Sequence, residues 1–176
     1  MQTGRDAIAK NKLKLLYLLN SAEIRLLETQ LIRIVDELDM MDYFDLQTNL
    51  HELVEGELLA RRDAVNGTFY AITEMGKSTL EYFRKEISYA LRKRIDAYLD
   101  ENRDALSLES QLFGEYMQIA EHQYRVTLKL VENDVPVFEV GFLAETKEQA
   151  DRYVRGWRKN ATRLYRRLFE TLLDGV

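Results

Sequence analysis

Four side chains in one short segment, DYFDLQTNLHELVEGELL, have the types that read nucleic-acid bases: Phe44, Gln47, Thr48 and His51. Amide, hydroxyl and imidazole groups exchange hydrogen bonds with base edges in a major groove, and an aromatic ring meets a thymine methyl or packs on the backbone. Phosphates need cations nearby. The candidates are Arg61 and Arg62 downstream and Lys12 and Lys14 upstream, with Arg5 and Lys10 beside the latter. Yet Asp42, Asp45, Glu52, Glu55 and Glu57 surround the reading positions, and no Lys or Arg occurs between Arg33 and Arg61. Phosphates repel carboxylates, so anchoring is expected from the first-helix lysines and from Arg61 or Arg62, whichever faces outward.

Catalysis is poorly provided for. His51 and His122 are the only histidines, on different predicted elements, and neither sits among residues with metal-ligand spacing. There is no glycine-rich phosphate loop and no nucleophile elbow. Glu52 and Glu55 read as solvated helix carboxylates, His51 as a surface polar residue and His122 as a turn residue. The expectation is no enzyme, no cofactor and no metal.

Composition narrows the class. Of 176 residues, 46% are apolar and 31% charged, and there is one proline, as in an ordinary globular protein. No apolar run approaches the ~20 residues that span a bilayer. MQTGRDAIAKNKLK lacks the apolar stretch of a secretion signal, and there is no cysteine, so a reducing cytoplasm is expected. Net charge is −5, from 25 basic and 30 acidic side chains, which lowers the expectation of nonspecific DNA affinity but leaves room for a local basic patch.

The elements that must position these residues follow from periodicity. Leucines at 13, 15, 16, 18 and 19 are too dense for a narrow stripe and predict a largely buried first helix over Asp6 to Leu19. A second helix is expected from about Glu28 to Glu37, starting near Thr29. A third begins near Asp42 or Tyr43, with Tyr43, Leu46, Leu50, Leu53 and Val54 inward and Gly56 as its stop. Leu58–Val65 and Thr68–Ile72 read as strands joined by an Asn66-Gly67 type I′ turn, and Thr73 as the N-cap of the next helix. A helix over Ser88–Asn102 follows, and the chain changes character near 103–110.

From Gln111 to Leu143 the chain is β-prone, with Tyr124, Val126, Leu128 and Leu130 on one face and a turn at Asn133-Asp134 and Pro136. Thr146 caps a long last helix striped by Val154, Trp157, Ala161, Leu164, Leu168 and Leu172. Its other face carries Arg152, Arg155, Lys159, Arg163 and Arg166 at steps of three or four. Two readings apply to that face: a second surface for nucleic acid or an acidic ligand, or, the weightier, a solvated face whose arginines pair with nearby acids.

The junction Tyr70-Ala71-Ile72-Thr73-Glu74-Met75-Gly76-Lys77 resembles the tyrosine-x-aliphatic-threonine-x-x-glycine passage from wing to helix in many bacterial winged-helix regulators, PadR-like ones included. Tyr43-Phe44-Asp45-Leu46-Gln47 through Leu50, Leu53, Val54 and Gly56 resembles the third helix of a narrower family. That family is a bacterial, mainly Gram-positive domain-of-unknown-function group with an N-terminal winged helix and a C-terminal strand-strand-helix region. The resemblance extends to Thr146-Lys147-Glu148-Gln149-Ala150 and Trp157-Arg158-Lys159-Asn160-Ala161, nearly the whole chain. It implies transcriptional regulation and names no ligand.

The expected architecture is α+β: an N-terminal winged helix-turn-helix over residues 1–86, a connecting helix and linker over 87–108, and a three-stranded antiparallel sheet with one long helix over 109–176. The expected function is DNA binding as a homodimer on double-stranded DNA. The other reading is a protein-interaction module on the same scaffold, whose acidic third helix meets a basic partner. The C-terminal module is a candidate sensor of a small-molecule effector, for which the sequence names no ligand. No membrane contact is expected.

Overall fold

The computed structural model describes residues 2–64, 67–132 and 135–173, with side chains from residue 9 onward. Among them the chain forms six α-helices and two three-stranded antiparallel sheets, an α+β architecture in two compact units, Met1–Ser107 and Leu108–Val176.

In the first unit, α1 (Gln2–Ala22) runs past both expected ends. Leu15 to Leu19 are all buried, and five consecutive residues cover a full helical turn, so α1 is central rather than half-exposed. It packs against α3 (Tyr43–Glu55), α4 (Glu74–Phe83) and strand β3 (Gly67–Ile72). Helix α2 (Glu28–Glu37) begins as expected but is not capped by Thr29: the Gln30 side chain accepts from Leu27 N at 2.9 Å and donates to Leu106 O at 2.9 Å. Asp42 caps α3, accepting from Asp45 N at 2.8 Å.

Three expectations change here. The sheet has a third strand, β1 (Leu26–Leu27), which pairs with β3 and gives the order β1-β3-β2, with β2 being Leu59–Ala64. Two residues are too few to show periodicity. Gly56 is the C-cap of α3 as expected, at φ −81°, and the left-handed residue follows it at Glu57 (φ 58°). Tyr43, expected inward, is 55% exposed, and Asn49 is buried in the inward row instead. The β2–β3 register pairs Ala64 with Gly67, so Gly67 stands in β3 rather than at the centre of a turn. Val65 and Asn66 lie outside the described residues, and with them the Asn66 half of the expected Asn66-Gly67 turn. Gly67, at φ 135°, holds a conformation that a Cβ would strain.

The link from the hairpin to α4 is made by three residues. Leu58 O accepts from Thr73 N at 3.1 Å, and Gly76 N donates to Thr73 Oγ1 at 3.0 Å. The single Thr73 hydroxyl proton lies between the carbonyls of Glu57 and Leu58, at 2.7 and 3.1 Å. A Cβ on residue 76 would overlap Leu58 O and fall 2.8 Å from Ile72 Cγ1, so glycine is required for the backbones to approach.

Helix α5 (Tyr89–Gln111) corrects the expected connector and linker. No Gly or Pro interrupts it, and Ile95, Leu99 and Leu106 keep it in the first core, so 103–110 is helix rather than a break. Tyr17 donates to the Asp96 carboxylate at 2.9 Å, tying α1 to α5.

The second unit is a meander of β4 (Leu112–Ala120), β5 (Gln123–Glu132) and β6 (Val135–Ala144), crossed on one face by α6 (Lys147–Leu173). Val126, Leu128 and Leu130 face Val154, Trp157 and Ala161, as the alternation predicted. Trp157 stacks on Phe138 and donates Nε1–H to Lys129 O at 3.2 Å. Thr146 caps α6 through Gln149 N at 3.2 Å. His122 sits in the β4–β5 turn at φ 56°. The expected turn residues Asn133 and Asp134 lie outside the described residues. Pro136 stands on edge strand β6 at a register irregularity, where a missing N–H is tolerated. The apolar stripe of α6 is only half used: Leu164, Leu168 and Leu172 are exposed.

Gly76→Ala is expected to destabilise the chain by about 1–3 kcal/mol, because the backbone contact cannot relax around a methyl group. Thr73→Ala is expected to cost about 1 kcal/mol for the lost cap. Both are read as a lower urea midpoint by far-ultraviolet circular dichroism with an unchanged m value.

Candidate nucleic-acid interface

Leu46, Asn49, Leu50 and Leu53 hold α3 on the core, which leaves Phe44, Thr48, His51 and Glu55 as one outward line at helical steps. Phe44 is 81% exposed and meets the Tyr43 ring edge-on at 5.9 Å. Thr48 and His51 are exposed, and His51 Nε2 lies 3.3 Å from Glu55 Oε1. Gln47 is set apart from this line: it is half-buried and donates to Glu28 Oε1 of α2 at 2.9 Å. Burial and the Glu28 carboxylate push the neighbouring Tyr70 phenol above its usual value. Three of the four reading residues therefore share a face, and the fourth is engaged at its edge.

The cations fall differently from expectation. Lys12 Nζ forms an ion pair with Glu52 Oε2 at 2.6 Å, so it neutralises α3 from beneath. Lys14 Nζ donates to Asn11 Oδ1 and to Met40 O, both at 2.9 Å, and Asn11 in turn donates to Asp45 Oδ2 at 3.4 Å. Burial holds the Lys14 ammonium below the usual lysine range, with the Asp45 charge acting against the shift and Lys10 adding to it. Both lysines serve the α1–α3 contact.

Arg61 and Arg62 were expected on opposite faces with one of them outward. Both are exposed, on edge strand β2. Arg61 lies 3.2 Å from Asp63 Oδ1, which also accepts from Thr68 Oγ1 at 2.8 Å.

Several participants had no place in the sequence reading. Asn11 and the buried Asn49, which donates to Asp45 O at 2.6 Å, both serve α3. Tyr82 and Phe83, in edge-on contact in the last turn of α4, and Tyr89 at the start of α5 are exposed aromatics, with the Arg92 and Lys93 cations over the Tyr89 ring at 5.7 and 5.8 Å. Exposed aromatics at a helix end carry no periodic signature. Gln30 was legible, since a glutamine three residues after the cap position is half of a capping box. Among the described residues no group of three His, Asp or Glu side chains could hold a metal ion, and no helix is long and apolar enough to cross a membrane.

Lys14 gives a pH test. Its folded-state pKa lies below the unfolded value of about 10.5, so the unfolded chain binds more protons between the two. Its contribution to stability is therefore complete above the unfolded pKa and is lost as pH falls through the folded one. The stability difference between wild type and Lys14→Met should increase with pH on approaching 10.5 and be flat below the folded pKa. Urea midpoints across pH 7 to 10.5 measure it, and a difference that declines over that range would refute it.

Neither the curated proteins nor the solved structures contain a match to the chain. A family model does match, over residues 11–172, from the middle of α1 to the last turn of α6, and so spans both units. The chain belongs to the family described as Domain of unknown function (DUF4364).

Proposed function

We propose that the protein is a DNA-binding transcriptional regulator built on a winged helix-turn-helix with a PadR-like wing-to-helix junction, and that it acts as a homodimer. The fold reading is supported by the order α1-β1-α2-α3-β2-β3-α4 with the sheet order β1-β3-β2. One observation carries the DNA reading: α3 presents Phe44, Thr48 and His51 in a single exposed line from a helix fixed by its core face. Gln47 joins that line by exchanging Glu28 for a base edge, and the exposed Arg61 and Arg62 of β2 supply wing contacts.

A second reading is favoured by a specific observation. The α3 surface carries Asp45, Glu52 and Glu55 without a Lys or Arg of its own, and two exposed aromatics, Tyr43 and Phe44, stand at its start. Aromatic and acidic surfaces suit a basic protein partner, with aromatic side chains enriched among interface anchors.

Selection from a random duplex library followed by titration separates the readings. The DNA reading expects an enriched site. Gln47→Ala, Thr48→Ala and His51→Ala together should weaken binding to that site about tenfold or more while leaving random duplex unchanged. Failure to enrich any site, with a basic peptide binding to wild type and lost in Glu52→Lys/Glu55→Lys, assigns α3 to a protein instead.

The homodimer rests on Leu164, Leu168 and Leu172, which continue the buried stripe of α6 into solvent. Each apolar side chain of this size contributes roughly 1.5–3 kcal/mol when fully buried. Leu164→Gln/Leu168→Gln should therefore shift sedimentation velocity toward monomer by at least about a hundredfold in dissociation constant. A wild type that sediments as a monomer at high concentration would remove the dimer.

A further inference from the structure

Helix α6 concentrates the positive charge of the chain. Lys147–Leu173 holds eight basic side chains and three acidic ones, a net +5, in a protein of net −5; everything else therefore sums to −10. Segregation of this size is not what an evenly solvated surface requires.

The arrangement is linear. Val154, Trp157 and Ala161 bury one side of α6 against the sheet, and Arg152, Arg155, Lys159, Arg163 and Arg166 stand opposite, all exposed. The helical rise places the first and last of these about 21 Å apart along the axis. Pairing within the protein accounts for little of this charge. Arg155 pairs with Asp151, and Arg163 donates to Asn160 Oδ1 at 3.0 Å. Among the described residues Arg152, Lys159 and Arg166 make no ion pair. Of the two readings of this face, the weightier has its arginines pairing with nearby acids, and among the described residues the face has one ion pair. Glu148 and Glu170 stand only at its ends.

We propose that this face of α6 binds the sugar-phosphate backbone of double-stranded nucleic acid. A straight row of guanidinium groups matches a linear polyanion, which carries one charge per about 1.7 Å of axis in a duplex. Arginine, four of the five residues, pairs bidentately with phosphate oxygens. A membrane surface fits less well. An interfacial helix places its apolar side in the lipid with cations flanking it, whereas here the cations lie opposite an apolar stripe whose first half is already buried. The row contains no apolar anchor of the kind a protein interface uses at its centre. The inference does not depend on α3 reading bases: it places the phosphate affinity that acidic α3 lacks on the second unit.

The test uses the full-length protein and a fluorescent random-sequence duplex, with anisotropy titrated from 25 to 200 mM salt. Wild type is expected to show a log–log salt slope of about −4 to −5, from about 0.9 per neutralised phosphate. Arg152→Gln/Lys159→Gln/Arg163→Gln/Arg166→Gln should reduce the slope by about 3.5 and weaken binding at least a hundredfold at low salt. Arg152→Lys/Arg163→Lys/Arg166→Lys should retain the slope, and Trp157 emission verifies that the second unit remains folded in both. An unchanged slope in the glutamine variant overturns the proposal. So does absence of duplex binding by wild type at 25 mM salt, or binding confined to vesicles containing phosphatidylserine. If α3 variants leave this binding and all sequence preference untouched, the α3 reading fails and the α6 surface stands. If an enriched site is still bound but the α6 variant changes nothing, the reverse holds.

Discussion

The carbonyl of Leu58 is where the first unit is held together. It accepts from the amide of Thr73 and shares the Thr73 hydroxyl proton with Glu57, while the same hydroxyl oxygen caps α4 through Gly76 N. The exit of α3, the base of the β2–β3 hairpin and the entry to α4 thus converge on one oxygen. A hairpin alone is a marginal structure. Closed at its base in this way, and joined by β1 on the other side of β3, it takes a fixed place beside α3. The relation between the Phe44–Thr48–His51 line and the arginines of β2 follows from that closure and from the missing side chain of Gly76.

Within this frame, charge on α3 and charge on α1 are not independent. A helix with carboxylates at 45, 52 and 55 packed beside a leucine-rich helix would repel itself and desolvate its acids. Lys12 removes one of these charges directly, and Lys14 crosses toward Met40 O, at the cost of partial burial of its ammonium. Ion pairs that are this exposed contribute up to about 1 kcal/mol each, so the pairing matters more for where the cations point than for stability. Lysines that hold α3 in place are committed to it, so under the proposed DNA-binding reading phosphate contacts would come from other parts of the chain.

Much of the fold was legible because it rests on period and on local chemistry. The bounds of α2, Asp42 and Thr73 as caps, the β2–β3 hairpin, the meander and Thr146 all follow from patterns that one segment contains by itself. What escaped was decided by partners distant in sequence. Leu26-Leu27 becomes a strand only because β3 offers an edge, and residues 103–110 stay helical because Leu106 fits a core built by α1 and α2, with Gln30 reaching its carbonyl. The same division applies to the site. Phe44, Thr48 and His51 are exposed as helical spacing requires. The fates of Gln47, Lys12 and Lys14 depended on Glu28, Glu52 and Met40, none of which is their neighbour in sequence.

Electrostatic range decides how the acidic whole and the basic last helix are to be weighed. At physiological ionic strength the screening length is about 8 Å, shorter than the roughly 21 Å row on α6. A phosphate above Lys159 therefore feels Arg155, Arg163 and their immediate neighbours, and hardly feels charges a domain's width away. The formal −5 of the chain governs solubility and long-range drift at low salt, whereas contact affinity is set locally, at +5 over twenty-seven residues. Screening limits the reach of the α3 carboxylates in the same way. These carboxylates repel only phosphates that come within a few ångströms of them, so the proposed base contacts of α3 and the proposed phosphate contacts of α6 are compatible on separate elements.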